Sequence, residues 1–339
     1  MVMGMFRRET DVAIIGSGPG GYVAALRAAD LGREVLLIEE REELGGVCLL
    51  EGCIPSKTYI HAVESIHAAK EAHRFGVSFG EMSVDLEKLR GFKESVVGGL
   101  TKGIVGLLKR RGVEVVHGRA RFDGAHSLLV EGKREVSGVD FKKAIIATGS
   151  RPNELDLGAS ESVWSSTEAL QMSEVPERLV VVGGGYIGLE LGLVYAGLGS
   201  QVTVVEFFPE LLPGADADLV DVMVKSVRGR LSQVLLRSKV VGTEETKGGV
   251  NVTVEHEGEK KVLETDRVLV SVGRRPNTDD LGLEKIGLEL DERGRIPTDE
   301  TGKTAAKDIY AIGDVTAGPM LAHKASREAK VVAEAIAGE

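Results

Sequence analysis

Cysteine is nearly absent from this chain, with two residues, Cys48 and Cys53, in 339. That excludes a disulfide framework and a four-cysteine zinc site. If the two pair at all, the bond suits catalysis better than scaffolding. Positive charge is in deficit: 42 Lys and Arg stand against 52 Asp and Glu, a formal net charge of −10. A general nucleic-acid or membrane-surface binder would carry a basic face instead. No apolar run approaches the roughly 18 residues of a membrane-crossing helix, and residues 1–10 are too short and polar for a signal peptide. A cytoplasmic protein is expected. No Ser- or Pro-rich linker interrupts the chain. What is plentiful is apolar sequence, 42% and enough for sizeable cores, and glycine, 44 residues and nearly twice the usual roughly 7%. Without a collagen period these glycines belong to turns and close backbone approaches. The length suits about two domains.

The chain contains an internal repeat. The apolar run Asp11–Ile15 leads into Gly16-Ser-Gly18-Pro-Gly-Gly21, a helical stretch over 22–31 and a strand over 35–38 ending in Glu39. Later, Arg178–Val182 leads into Gly183-Gly-Gly185-Tyr-Ile-Gly188, a helical stretch over 189–198 and a strand over 202–205 ending in Glu206. Each acid lies 23 residues after the first glycine of its loop. One βαβ unit has been used twice. Around the two copies, apolar spacing predicts helices over 57–74 and 84–110. A β-meander is expected over 113–141, a buried strand over 144–149, and strands over 250–255 and 262–272. A break at Arg275-Pro276-Asn277, a strand over 309–312 and a helix from about 322 complete the pattern.

A lone G-x-G-x-x-G is weak evidence, but here each copy has a strand before it, a helix after it and an acid about twenty residues on. Gly16 makes the tight turn, Gly18 lets the backbone approach a pyrophosphate, and Gly21 lets helix and strand pack. The pyrophosphate meets free N–H groups and the positive helix end. Glu39 is expected to accept hydrogen bonds from the adenosine ribose. Gly183, Gly185, Gly188 and Glu206 repeat these roles. A carboxylate at Glu206 repels a 2′-phosphate, and Phe207, Phe208 and Pro209 add no cation. The second nucleotide is therefore expected to be NAD rather than NADP.

Cys48 and Cys53 follow the first unit with C-x4-C spacing. On a regular helix such residues have Cα atoms roughly 8–9 Å apart, whereas a disulfide wants at most about 6.8 Å. A bridge therefore needs a distorted helix, which Gly52 and Pro55 allow, and a strained bridge is easily reduced. Two buried structural thiols are the alternative.

These features, in order with Cys53-Ile-Pro-Ser-Lys57, Ala147-Thr148-Gly149, Gly183–Glu190, Gly273-Arg-Arg-Pro-Asn277, Tyr310–Asp314 and Met320–Lys324, resemble the pyridine nucleotide–disulfide oxidoreductases along nearly the whole chain. Cys-Ile-Pro-Ser-Lys with an acidic second nucleotide site favours the lipoamide branch. Leu50 departs from it, standing where the family usually has asparagine. The resemblance implies an α/β fold with two Rossmann-like dinucleotide-binding domains, the NAD domain (151–276) inserted in a discontinuous FAD domain (1–150 plus 277–339). It implies that Cys53 lies against the flavin as a charge-transfer thiolate and that Cys48 is the interchange thiol. Lys57 would reach the flavin and pair with Glu190 under the nicotinamide path. Thr148, Gly149, Asp314, Leu321, Ala322 and His323 would line the FAD, and Gly273 the NAD. The implied reaction oxidises dihydrolipoamide, the dihydrolipoyl group of a 2-oxo acid dehydrogenase complex acyltransferase, and reduces NAD+.

Family members continue for about a hundred residues as a lobe that makes the homodimer and gives a His–Glu pair to the partner's disulfide. This chain stops at Glu339, where that lobe should begin. The expectation is that the dimerisation domain is absent, that lipoamide turnover is weak, and that NADH:acceptor (diaphorase) activity survives. A truncated FAD/NAD-binding module is thus the alternative. Glutathione- and mercuric-reductase-like readings share the cysteine segment but prefer NADP, which Glu206 opposes. Low-molecular-weight thioredoxin reductase carries its C-x2-C in the nicotinamide domain. No histidine has a ligand motif around it, and no metal site is expected.

Overall fold

The computed structural model describes residues 6–133, 135–158, 160–227 and 229–338. The first part of the chain forms β1 (Arg7–Ile15), α1 (Pro19–Asp30), β2 (Val35–Glu39), α2 (Gly46–Leu50), α3 (Cys53–Glu71), α4 (Leu86–Arg110), β3 (Glu114–His117), β4 (Arg119–Gly124), β5 (Ser127–Glu131) and β6 (Val136–Ile146). The middle forms β7 (Ser150–Pro152), β8 (Val163–Trp164), α5 (Ser166–Gln171), β9 (Arg178–Val182), α6 (Tyr186–Leu198), β10 (Gln201–Val205), α7 (Ala217–Val227) and β11 (Gln233–Leu235). The last part forms β12 (Ser238–Thr246), β13 (Gly249–His256), β14 (Glu259–Thr265), β15 (Arg267–Val270), β16 (Arg274–Pro276), β17 (Ile309–Ala311) and α8 (Ala322–Ala337). The fold is mixed α/β with two parallel sheets. By contacts the chain divides into one unit of residues 1–50, 97–151 and 274–339, and another of 51–96 and 152–273.

The first unit is built on a seven-stranded sheet in which β3, β2, β1 and β6 run parallel. The long β6 serves two neighbours along its other edge: β5, antiparallel, over Val136–Asp140, and β17, parallel, over Ala144–Ile146. Parallel strands covered on both faces read as unbroken apolar runs, and Val12–Ile15 and Val35–Ile38 are such runs, all buried. Their side chains alternate between two cores. Ile15, Leu36, Ile38, Phe122 and Ile146 share one, and Val12, Ile14, Val35, Leu37 and Ile312 the other, as the two-residue period of a strand requires. The second core is roofed by α1 and α8, where Ala24, Ala25, Ala28, Ala329 and Ala333 keep the helices close.

The second unit centres on a five-stranded sheet, β11-β10-β9-β15-β8, parallel throughout. A three-stranded antiparallel sheet, β12-β13-β14, adjoins it. α3 belongs here because it packs on α6: Val63 seats so close over Gly197 that a Cβ there would lie 2.0 Å from Val63 Cγ1. The short α5 opens with a capping box, Ser165 with Glu168. Its last carbonyls accept from distant side chains: Ala169 from Tyr195 Oη (2.7 Å), Leu170 from Tyr59 Oη (3.3 Å) and Met172 from Arg90 (3.0 Å). Burial pushes the Tyr59 phenol up to about 12, so it stays a donor at neutral pH.

By these contacts residues 51–96 group with the second unit. Several elements differ from the sequence reading. The helix expected over 57–74 starts at Cys53 and ends at Glu71, and the next begins at Leu86, where the Asp85 carboxylate accepts from Lys88 N–H at 3.0 Å as a cap does. In the expected meander, β3 is instead a parallel edge strand on β2. The strand over 262–272 is two strands, broken where Asp266 turns to bond Arg178. Arg274–Pro276 is a strand rather than a break, a place proline tolerates at a sheet edge.

Candidate functional site

Each glycine loop bends in the same way. Gly16 N–H donates to Ile38 O at 2.8 Å, and Gly183 N–H to Val205 O at 2.9 Å. Gly16 and Gly183 have φ of 99° and 107°, a left-handed region that favours glycine. The last glycines are fixed by crowding: a Cβ on Gly21 would lie 1.7 Å from Gly16 O, and one on Gly188 2.2 Å from Gly183 O. The middle glycines are different. Gly18 and Gly185 have ordinary extended backbone, at φ −66° and −75°. A Cβ on Gly18 would meet only Gly46 Cα at 3.9 Å, and one on Gly185 would meet no atom within 4 Å. Each is the N-cap residue of its helix, with no side-chain cap, so first-turn N–H groups point into that space. Protein packing does not demand glycine at either place.

The acids close each loop. Glu39, 8% exposed, accepts from Ser17 N–H (2.8 Å) and Ser17 Oγ (2.6 Å) at one oxygen and from Arg41 N–H (3.0 Å) at the other. Glu206, 4% exposed, accepts from Gly184 N–H (2.5 Å) and Phe208 N–H (2.7 Å). Both were expected to serve a ribose, and both also brace their own loop. Carboxylate oxygens accept more than one bond each, so the two roles are compatible.

In the first unit, Ser326 Oγ donates to Pro19 O at 3.4 Å, which brings the start of α8 to the start of α1. Leu321 is the N-cap residue of α8, without a side-chain cap, followed by Ala322 and His323, which is exposed. Asp314 accepts from Ser150 Oγ at 2.5 Å, and that hydroxyl accepts from Arg274 Nε at 2.8 Å. Thr148 and Gly149 are laced to Asn277: Thr148 Oγ1 donates to Asn277 O (2.6 Å), and Asn277 N–H donates to Gly149 O (2.9 Å). Cys48 lies half-buried in α2, which is seated on the first loop. Gly46, at φ 62°, packs so closely that a Cβ would come 2.5 Å from Gly18 Cα.

In the second unit, Cys53 is the first residue of α3, since Glu51 and Gly52 separate α2 from α3. Lys57, one turn on, donates to Glu190 at 3.1 and 3.3 Å. Ser56, buried, donates to the same carboxylate at 3.0 Å. Gly273, at φ 96°, accepts from Asn153 N–H through its carbonyl at 3.0 Å.

A family model described as pyridine nucleotide-disulphide oxidoreductase matches residues 10–329. The chain belongs to that family. The dihydrolipoyl dehydrogenase of Bacillus subtilis (strain 168) is 47% identical over 341 residues, which is all of this chain and 72% of that protein. The same identity and shares hold over 339 residues for the dihydrolipoyl dehydrogenase of Geobacillus stearothermophilus. Among solved structures, LpdA from Mycobacterium tuberculosis matches with a TM-score of 0.89 at 28% identity, covering 97% of this chain and 73% of that one. The copper(II) complex of the HOCl-induced flavoprotein disulfide reductase RclA from Escherichia coli matches with a TM-score of 0.84 at 28% identity, covering 96% and 70%. It is an oxidoreductase related to the dihydrolipoyl dehydrogenases.

Five residues of this oxidoreductase were missed in the sequence. Ser56 was read only as part of a motif, yet its hydroxyl bonds Glu190. Ser150 and Arg274 hold Asp314. Gly46 lets the Cys48 helix sit on the first loop. Lys324 fixes the Asp314 turn, donating to Gly313 O (2.9 Å), Thr316 Oγ1 (3.0 Å) and Glu328 (3.0 Å). Only Lys324 had a sequence signal, the i,i+4 spacing to Glu328.

Proposed function

We propose that this chain oxidises a dihydrolipoyl dithiol and passes the electrons through a Cys48–Cys53 disulfide and FAD to NAD+. In this reading a Rossmann-like FAD domain, 1–150 plus 277–339, holds FAD with Gly16, Gly18, Gly21 and Glu39. An inserted NAD domain, 151–276, holds NAD with Gly183, Gly185, Gly188 and Glu206. The observation that carries it is the pair of middle glycines. Gly18 and Gly185 lack side chains for no reason internal to the protein, and both front an uncapped helix N-terminus. That fits a backbone kept clear for a diphosphate.

When bound, FAD supplies a two-electron relay and NAD+ the hydride acceptor. The chain's own part is thiol exchange. One substrate thiolate attacks Cys48 Sγ, the Cys48–Cys53 bond breaks, and Cys53 leaves as thiolate. The second substrate thiol then displaces Cys48, closing the cyclic disulfide. Two electrons and two protons have left the substrate. Cys53 stands at the N-terminus of a 19-residue helix with the Lys57 ammonium one turn on, and both favour negative charge on sulfur. Glu190 and Ser56 hold Lys57 in place. The proposed substrate is the dihydrolipoyl group of a 2-oxo acid dehydrogenase complex acyltransferase.

The test counts thiols. FAD-loaded protein is treated with dihydrolipoamide without oxygen, then denatured and alkylated. Two thiols per chain should react that do not react in the oxidised protein, and Cys48→Ser and Cys53→Ser should each abolish the difference. Equal counts in the oxidised and reduced wild type would sink the reading.

A further inference from the structure

The second glycine loop turns without a serine, so the serine in the first serves something other than the turn. Glu206 takes the amide of Gly184 at 2.5 Å, and Glu39 takes that of Ser17 at 2.8 Å. Gly184 has no side chain, and its loop still closes on its acid. Ser17 is fully buried, where a hydroxyl must find partners. Its Oγ donates to Glu39 Oε2 at 2.6 Å and accepts from Gly45 N–H at 3.2 Å. One hydroxyl thus joins the first loop, the acid at the end of β2, and the turn that leads into α2 and Cys48.

That turn depends on what holds it from outside. Gly45 and Gly46 are consecutive, at φ 129° and 62°, and such residues lose the most freedom when fixed. A Cβ on Gly45 would lie 2.4 Å from Leu49 Cδ2, and one on Gly46 2.5 Å from Gly18 Cα. Leu44 and Leu49, on either side, are buried. α2 is five residues long, too short to hold itself. Where Cys48 lies is therefore set by this turn, and a bond to Gly45 N–H removes much of the turn's freedom.

We propose that Ser17 is a positioning residue that ties the Cys48 turn to the dinucleotide site, so that FAD on the first loop closes the turn as well. This rests on the FAD reading of the Gly16–Gly21 loop. A ligand that binds only the closed loop stabilises the closed state by mass action. Whatever opens together with the loop then opens less often. Through Ser17 the turn at Gly45 shares that gain, and Cys48 is presented to its substrate in one place rather than several. Without the hydroxyl the loop closes on FAD while the turn opens by itself.

The experiment follows alkylation of Cys48 by iodoacetamide in the full chain carrying Cys53→Ser, where Cys48 is the one cysteine left, with saturating FAD and without it. In this parent FAD should slow alkylation about ten-fold, the upper worth of one hydrogen bond. Adding Ser17→Ala should abolish the slowing, and Ser17→Thr, which keeps the hydroxyl, should restore it. Hydrogen exchange of residues 44–50 should slow with FAD in the parent and not in the alanine variant. Exchange in α6, which lies in the other unit, should stay the same throughout, and a change there would overturn a local coupling. Full slowing in the alanine variant would overturn the role of Ser17 and leave FAD as a direct shield. Loss of the slowing in Ser17→Thr too would overturn it as a packing effect. Faster alkylation of the alanine variant by one factor with and without FAD would mark a structural brace and overturn the coupling. A parent that takes up FAD with no slowing would overturn the coupling alone. Failure of the parent to retain FAD after desalting would overturn the FAD reading, and the coupling with it.

Discussion

In the first glycine loop, Glu39 holds the amides of Ser17 and Arg41. In the second, Glu206 holds those of Gly184 and Phe208. The donors correspond one to one, yet the side chains around them do not. Ser17 adds a hydroxyl that bonds Glu39 and accepts from Gly45 N–H at 3.2 Å, joining the loop to the turn before Cys48. Gly184 has no side chain, and Leu211 occupies the space. The same backbone is braced toward the cysteine segment in one unit and toward Phe208 and Leu211 in the other. The glycines that make the turn are shared. What each loop is for is set by the residues next to them.

The largest effects should separate glycines that serve packing from glycines that serve a ligand. Gly21→Ala and Gly188→Ala drive a methyl into a carbonyl at 1.7 and 2.2 Å. Such overpacking against backbone should cost about 3 kcal/mol or more, read as a lower urea midpoint. Gly18→Ala and Gly185→Ala meet no such obstacle and should cost under about 1 kcal/mol as N-cap changes. They should instead weaken nucleotide binding about ten-fold or more, or 1.4 kcal/mol. The distinction fails if Gly185→Ala unfolds the protein as readily as Gly188→Ala does.

A smaller effect tests whether the two braces are equivalent. Glu39→Ala and Glu206→Ala each leave two backbone amides without their acceptor. At roughly 1–3 kcal/mol per unsatisfied group, each should lose about 2–6 kcal/mol. The ligand effects should not cross: Glu39→Ala should release FAD, and Glu206→Ala should weaken NAD+ and ADP-ribose. If Glu206→Ala released FAD while NAD+ affinity held, the proposed assignment of cofactors to loops would be reversed.

The repeat was legible in the sequence because its turn needs glycine for steric reasons and its acid stands at a fixed distance, both local properties. The family followed from ordered local motifs in the same way. Contacts made across long stretches of chain were not legible. Ser56 lies next to Lys57, but its bond reaches Glu190, 134 residues away. The grouping of 51–96 with the second unit depends on Val63 finding the notch at Gly197, which spacing does not announce. Phe207 and Phe208 were read only as an absence of cations. Their exposure, and their ties through Glu206 and Leu212 to the glycine loop, needed coordinates.

The smallest expected effect compares the acids near the central strands. In the first unit Asp11, on β1, accepts from Lys142 Nζ (2.7 Å) and Glu34 N–H (3.1 Å), which hold its carboxyl below the usual carboxylate range. In the second, burial pushes Asp266 up, but the Arg178 guanidinium and N–H, each at 2.8 Å, outweigh it and the net shift is down. Lys142 is 79% exposed and its pair is screened, whereas Arg178 is 42% exposed and holds Asp266 through two donors. Asp266→Asn should therefore cost about 1–2 kcal/mol at pH 7, and Asp11→Asn under about 1 kcal/mol. A lowered folded pKa gives stability that is present above the unfolded value, about 3.9, and lost as pH falls through the folded value. The gap between wild type and Asp266→Asn should stay constant from pH 7 to about 5 and close below about 4. A gap that persisted at about pH 2 would mean that Asp266 acts through shape rather than charge, and that the two units do not differ in their acid limbs.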